Sequence, residues 1–145
     1  MKTLITVIVT AVLTFVTYTL SANSLANPLK FAKVETIIDH YIDATVNGET
    51  TLLKFLFTDD FTQSTPNNGE VDKVSKAQVV KHLKSLKGIQ TNCETSYEFV
   101  EKNSDCSIVK VTKRFANFQR VDYVTMCNTD AGWKINKVLV AYPER

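Results

Sequence analysis

Hydrophobic positions change their period once along the chain. Up to about residue 90 they recur every three or four residues, and from Cys93 onward they alternate. Val34, Ile37, Ile38, Tyr41, Ile42 and Thr45 form one helical stripe, with Glu35, Asp39, His40 and Asp43 opposite, so the spacing predicts a helix over Pro28–Asn47 stopped by Gly48. A short second helix is predicted over Glu49–Phe57, burying Leu52, Leu53, Leu56 and Phe57 behind an acidic first turn. Phe61–Thr65 reads as a short extended piece, ended by the turn residues Pro66-Asn67-Asn68-Gly69. Ser75–Leu86 reads as a third helix. Ser75 and Gln78 are spaced for a capping box, Val79, Val80, Leu83 and Leu86 are its apolar positions, and Gly88 ends it.

Beyond that point Cys93, Thr95, Tyr97 and Phe99 alternate with Glu94, Ser96 and Glu98. A turn over Lys102–Asp105 leads into Cys106–Phe115, where Val109 and Val111 share a face, and Ala116–Gln119 links to a closing hairpin. Its arms are Arg120–Cys127 and Gly132–Ala141, joined by Asn128–Ala131. Strict alternation groups Asp122 with Val124 and Met126 on the first arm. On the second it sets Trp133, Ile135, Leu139 and Ala141 against Val138, Val140 and Tyr142. Both faces of the hairpin are then apolar, which predicts a wrapped sheet with helices on one face and a cavity or a second subunit on the other. Grouped helices followed by a meander of strands indicate the α+β class.

Composition changes this picture mainly at the start of the chain. Lys2 precedes an uncharged run, Leu4–Leu20, and then Ser21-Ala22-Asn23-Ser24-Leu25-Ala26. That order predicts a secretory signal peptide over residues 1–26 and a mature domain over 27–145, in a periplasmic or extracellular protein; an uncleaved membrane anchor is the alternative. Without the leader, 16 basic side chains stand against 15 acidic ones. Such a balance argues against a nucleic-acid protein. Export permits disulfides, and three cysteines allow one internal bridge at most. Folding back about Ala116-Asn117 would bring Cys106 opposite Cys127; three buried thiols are the other reading. His40 and His82 do not make a metal-ligand spacing, and no metal or cofactor is called for. Lys73, Lys76, Lys81, Lys84 and Lys87 make the third helix region basic, as a solvated face usually is.

Two side chains carry potential chemistry. Tyr41 lies on the apolar stripe of the first helix, where its hydroxyl needs a partner whether it serves a ligand or only the core. Asp122 sits among Val124 and Met126, where desolvation disfavours its charge unless a cation is near. Lys110 and Arg114 on the neighbouring strand are the candidate cations. A neutral Asp122 could instead donate a hydrogen bond to a ligand oxygen.

Tyr41-Ile42-Asp43-Ala44-Thr45-Val46-Asn47-Gly48-Glu49, the following Leu52-Leu53, Leu56-Phe57 and Asp59-Asp60, with Asp122-Tyr123-Val124 and Gly132-Trp133-Lys134-Ile135-Asn136-Lys137-Val138, resemble the nuclear transport factor 2-like superfamily. The wording is closest to its SnoaL-like and lumazine-binding group. The resemblance spans nearly all of residues 30–142. It implies a cone in which three N-terminal helices pack on a strongly curved antiparallel sheet around an apolar pocket, commonly in a homodimer formed through the sheet. It also matches Tyr41 and Asp122 to the oxyanion-binding tyrosine and protonated aspartic acid of ketosteroid isomerase. The position of that enzyme's catalytic base is Thr65, before Pro66, and a threonine hydroxyl is a very weak base near neutral pH. Glu70 is nearby in sequence. The resulting expectation is an exported protein binding a small, largely apolar molecule, with Phe61, Thr65, Val124 and Met126 as walls and Tyr41 and Asp122 as orienting donors. The alternatives are an isomerase, lyase or cyclase using Tyr41 and Asp122 as oxyanion donors, and an interaction module using the sheet face.

Overall fold

The structure is a computed structural model describing residues 26–144. All of the expected leader except Ala26 therefore lies outside the described residues. No helix among the described residues is long and apolar enough to cross a membrane. In chain order the elements are α1 (Val34–Val46), α2 (Leu53–Leu56), β1 (Phe57–Asn67), β2 (Glu70–Ser75), α3 (Lys76–Ser85), β3 (Glu94–Lys102), β4 (Cys106–Arg114), β5 (Gln119–Thr129) and β6 (Gly132–Ala141). The strands form one open sheet of order β2-β1-β6-β5-β4-β3, antiparallel except where β1 runs parallel to β6.

The helices differ from expectation at their starts. Residues before Val34 form a turn because Asn27 ties them to the far hairpin. Its side chain accepts from the Leu29 amide at 3.0 Å and donates to the Ala131 carbonyl at 2.7 Å, and Leu29 is buried. Gly132 makes this seat possible: its φ is +92°, and a Cβ there would lie 2.4 Å from the Lys30 carbonyl oxygen. The second helix keeps only Leu53–Leu56, since the Glu49 carboxylate accepts from the Thr51 amide and holds the preceding residues in a turn. α3 starts as predicted, with Ser75 capping it and the Gln78 side chain accepting from the Ser75 amide at 2.8 Å.

Strand β1 is eleven residues long, and it folds back on β2 with Asn67 opposite Glu70. Asn68 and Gly69 at the turn both have positive φ, as a tight two-residue hairpin requires. β2 was not expected. It is an exposed edge strand with one half-covered residue, Val74, so it carries no alternating apolar signal. β6 departs from strict alternation at a bulge. Met126 pairs with Ile135 while Thr125 pairs with Lys137, leaving Asn136 as the extra residue. In consequence Ile135, Val138 and Val140 share the buried face and Leu139 turns to the opposite one, which corrects the grouping that strict alternation gave.

That buried face packs on Ile37, Ile38 and Tyr41 of α1, Leu53 and Leu56 of α2, and Val79 and Leu83 of α3. Each apolar side chain fully removed from water there contributes roughly 1.5–3 kcal/mol. Cys106 and Cys127 are register partners and form a disulfide; Cys93 is free. Two loops close the molecule at one end. The Gly88 amide donates to the Gly48 carbonyl at 3.0 Å and the Thr91 amide to the Val46 carbonyl at 2.7 Å, which joins the end of α1 to the segment after α3.

Candidate functional site

The inward stripe of α1 and the register of β4 on β5 create the site together. Lys113 is the partner of Arg120 across the strands, and Val111 is the partner of Asp122. Residues two apart on a strand share a face, so Lys113, Arg120 and Asp122 all point towards α1. Tyr41 meets them from the helix. Its hydroxyl donates to Asp122 Oδ2 at 2.9 Å, Lys113 Nζ donates to the same oxygen at 2.9 Å, and Arg120 Nε donates to Asp122 Oδ1 at 2.7 Å. Lys113 Nζ also donates to Thr45 Oγ1 at 2.8 Å and lies 5.3 Å from the Tyr41 ring centre. Asp122 is fully buried, and the Lys113 and Arg120 side chains are 4% and 26% exposed.

The electrostatics follow from that geometry. Burial pushes the Asp122 carboxyl up, but Lys113 and Arg120 outweigh it and hold the group below the usual carboxylate range. Burial pulls the Lys113 ammonium below its ordinary value, partly offset by Asp122. Burial and the neighbouring carboxylate raise the Tyr41 hydroxyl well above the usual phenol. Asp122 is thus a carboxylate that accepts from three donors and has no proton to give. This corrects the expectation of a neutral, donating acid. The cations are also not the expected ones. Lys110 faces the other side of the sheet and pairs with Glu98 at 2.8 Å, and Arg114 lies 3.8 Å from Glu94.

Beside this cluster lies a partly open cavity of about 360 Å³. Tyr41, Thr45, Lys113 and Arg120 form one end of it. Val74, Val79, Leu83, Leu86 and Phe115 line its apolar wall, and Gln63, Gln78, His82 and Thr91 add polar groups. Phe115 stacks on Phe118 at 4.3 Å, and Phe118 lies 6.2 Å from Tyr142, which extends the apolar surface past the rim. Of the six residues singled out in the sequence, Tyr41 alone lines the cavity, and Asp122 lies behind its cationic end. Phe61, Val124 and Met126 are packed into the core, Phe61 against the Phe57 ring at 4.6 Å. Thr65 is in β1, paired with Asp72, and is not among the lining residues. The walls come instead from β2, from α3 with Leu86 after it, and from Phe115 after β4, whose convergence no local pattern reveals.

A family model described as "Putative lumazine-binding" matches residues 30–139. The chain belongs to this family. Solved structures similar to this lumazine-binding-type domain share its fold at low sequence identity. An NTF2-like protein of unknown function from Silicibacter pomeroyi has a TM-score of 0.62 at 16% identity, covering 75% of this chain and 92% of its own. One from Methylobacillus flagellatus has a TM-score of 0.58 at 12% identity, covering 79% and 98%. An NTF2-like protein from Cytophaga hutchinsonii has a TM-score of 0.56 at 18% identity, covering 76% and 95%. The lumazine-binding-type domain accordingly has the α+β cone fold of these NTF2-like structures. No curated protein matches the chain by sequence.

Proposed function

We propose that this is an exported binding protein that takes a small amphipathic molecule into the cavity between α3 and the sheet. One observation carries the reading: apolar side chains and a preorganised cluster of polar groups line the same cavity, whose volume is at the lower end of the ~300–1,000 Å³ typical of ligand sites. The wall suits a hydrocarbon or flat ring body, and the Tyr41–Lys113–Arg120 end suits an acceptor. The enzyme alternative has less support. Tyr41 spends its proton on Asp122, and Asp122 is ionised, so the pair does not offer two donors to a developing oxyanion.

The test is a thermal-shift screen of small amphipathic compounds, lumazine included, followed by calorimetry on those that raise the melting temperature. Gln63→Trp, which pushes an indole into the cavity from β1, should abolish binding and leave the protein folded. Unchanged binding in that variant, or no binder in the screen, refutes the proposal.

A second reading concerns the opposite face of the sheet. Tyr123 and Leu139 are register partners there, 36% and 38% exposed, beside the Lys110–Glu98 pair. Such a half-apolar face supports a homodimer formed through the sheet. Light scattering that finds a monomer at all accessible concentrations would exclude it.

A further inference from the structure

We infer that the ligand's polar end is a monoanion, a carboxylate seated against Arg120 and Lys113, so that the cavity selects small organic acids with an apolar body. This rests on the cavity-binding reading and specifies its chemistry. The cluster contains two cations, Lys113 and Arg120, and one anion, Asp122. Each acidic group elsewhere in the described ion pairs already has its own lysine or arginine: Asp59 with Lys76, Glu35 with Lys102, Glu98 with Lys110 and Glu94 with Arg114. None of these carboxylates reaches the buried cluster. No other carboxylate among the described residues pairs with Lys113 or Arg120, so the described cluster holds one positive charge in excess at a site largely removed from water, which is costly unless a partner arrives.

The side from which a partner would come is also defined. Asp122 occupies Arg120 Nε and one proton of Lys113, from the core side. Arg120 and Lys113 both also line the cavity. A guanidinium has five N–H donors; Arg120 uses Nε for Asp122 and also meets the Tyr41 hydroxyl, which leaves further N–H groups on its terminal nitrogens. Its terminal nitrogens suit the two oxygens of a carboxylate. A single excess charge matches a monocarboxylate; a phosphate monoester dianion would overshoot it. Arg120 keeps its proton under all ordinary conditions, because Asp122 outweighs the effect of burial and raises its affinity. Thr45 and Tyr41, already engaged with the cluster, hold Lys113 in place, so the anion meets groups that need little reorganisation.

The experiment measures affinity by calorimetry for a panel of carboxylic acids with aliphatic, aryl and fused-ring bodies, decanoate and 2-naphthoate among them. Each is compared with its primary alcohol and amide. The acids should bind at least about tenfold more tightly than their neutral congeners, as expected for a charge-assisted pair in a partly desolvated site. Arg120→Gln should reduce that preference to less than about threefold. Acids and neutral congeners binding alike to the unmodified protein overturn the anion assignment and leave the cavity reading standing. That comparison needs no variant, so it decides the question even if Arg120→Gln folds poorly. An acid preference that survives Arg120→Gln intact also overturns the assignment. No binding by any panel member overturns both readings.

Discussion

Replacing Asp122 with asparagine preserves the side chain's shape and removes its charge. The carboxylate accepts from Tyr41, Lys113 and Arg120, so the variant leaves the buried Lys113 and the half-buried Arg120 facing an amide. One amide oxygen cannot accept from all three donors, and the NH₂ would point a donor at another donor. Removing one partner of a buried ion pair costs about 3–5 kcal/mol. That is a large part of the ~5–15 kcal/mol by which a domain is normally stable. Lys113→Met should behave differently. It removes the excess cation, fills the same space and leaves Asp122 with Arg120 and Tyr41, so we predict a loss below about 1.5 kcal/mol. Equilibrium urea unfolding of the parent and both single variants measures the difference. A loss under about 1 kcal/mol for Asp122→Asn, or equal losses for the two variants, would refute the charge accounting of the site.

Acid should act through the same group. The folded protein holds Asp122 below its unfolded value of about 3.9, so the unfolded chain binds more protons at low pH. Its stabilisation is complete above about pH 5 and drains away as the pH falls through the unfolded and then the folded value. Asp122→Asn should flatten this acid limb in unfolding curves between pH 6 and 2; an unaltered limb contradicts it. Gly132→Ala should lower stability by at least about 2 kcal/mol, because it adds a clash with Lys30 to a left-handed backbone, whereas Gly69→Ala, with open space around it, should lose about 1 kcal/mol; calorimetric melting compares them, and equal losses would discount the seat of Lys30. Reducing the Cys106–Cys127 bridge, whose ends are 21 residues apart, should cost about 3 kcal/mol by chain entropy, read from urea unfolding with and without reductant, and an unchanged midpoint would show that the bridge contributes nothing.

The helices, the α+β class and the closing hairpin were legible because each buries a face with its own period. The facing of Cys106 and Cys127 was legible because folding back about Ala116-Asn117 sets their register, while the sequence left open whether they bond. That same register placed Lys113 opposite Arg120 and on the side of Asp122, with Lys110 and Arg114 on the other face. The information that identifies the cations was thus in the strand parity, and choosing by proximity along the chain missed it. The bulge at Asn136 had a weaker sign: Ile135, Val138 and Val140 are spaced by three and then two, which a regular strand does not allow. β2 had none, since all its residues but Val74 are exposed. The cavity wall depends on how α3 lies across β1 and β2, a tertiary relation that no single segment encodes.

β6 follows every other described strand in the chain yet lies between β1 and β5. An emerging polypeptide that stops short of residue 132 would therefore hold two separate ribbons, each with a raw edge of unpaired amides and carbonyls where the missing strand belongs. Sheet completion has to wait for synthesis to deliver residues 132–141, and the parallel contact with β1 then spans about 75 residues of chain, which makes assembly slow and nearly all-or-none. Nascent fragments of this protein are accordingly the species most in need of a chaperone, and truncations within β6 should aggregate rather than lose stability by degrees.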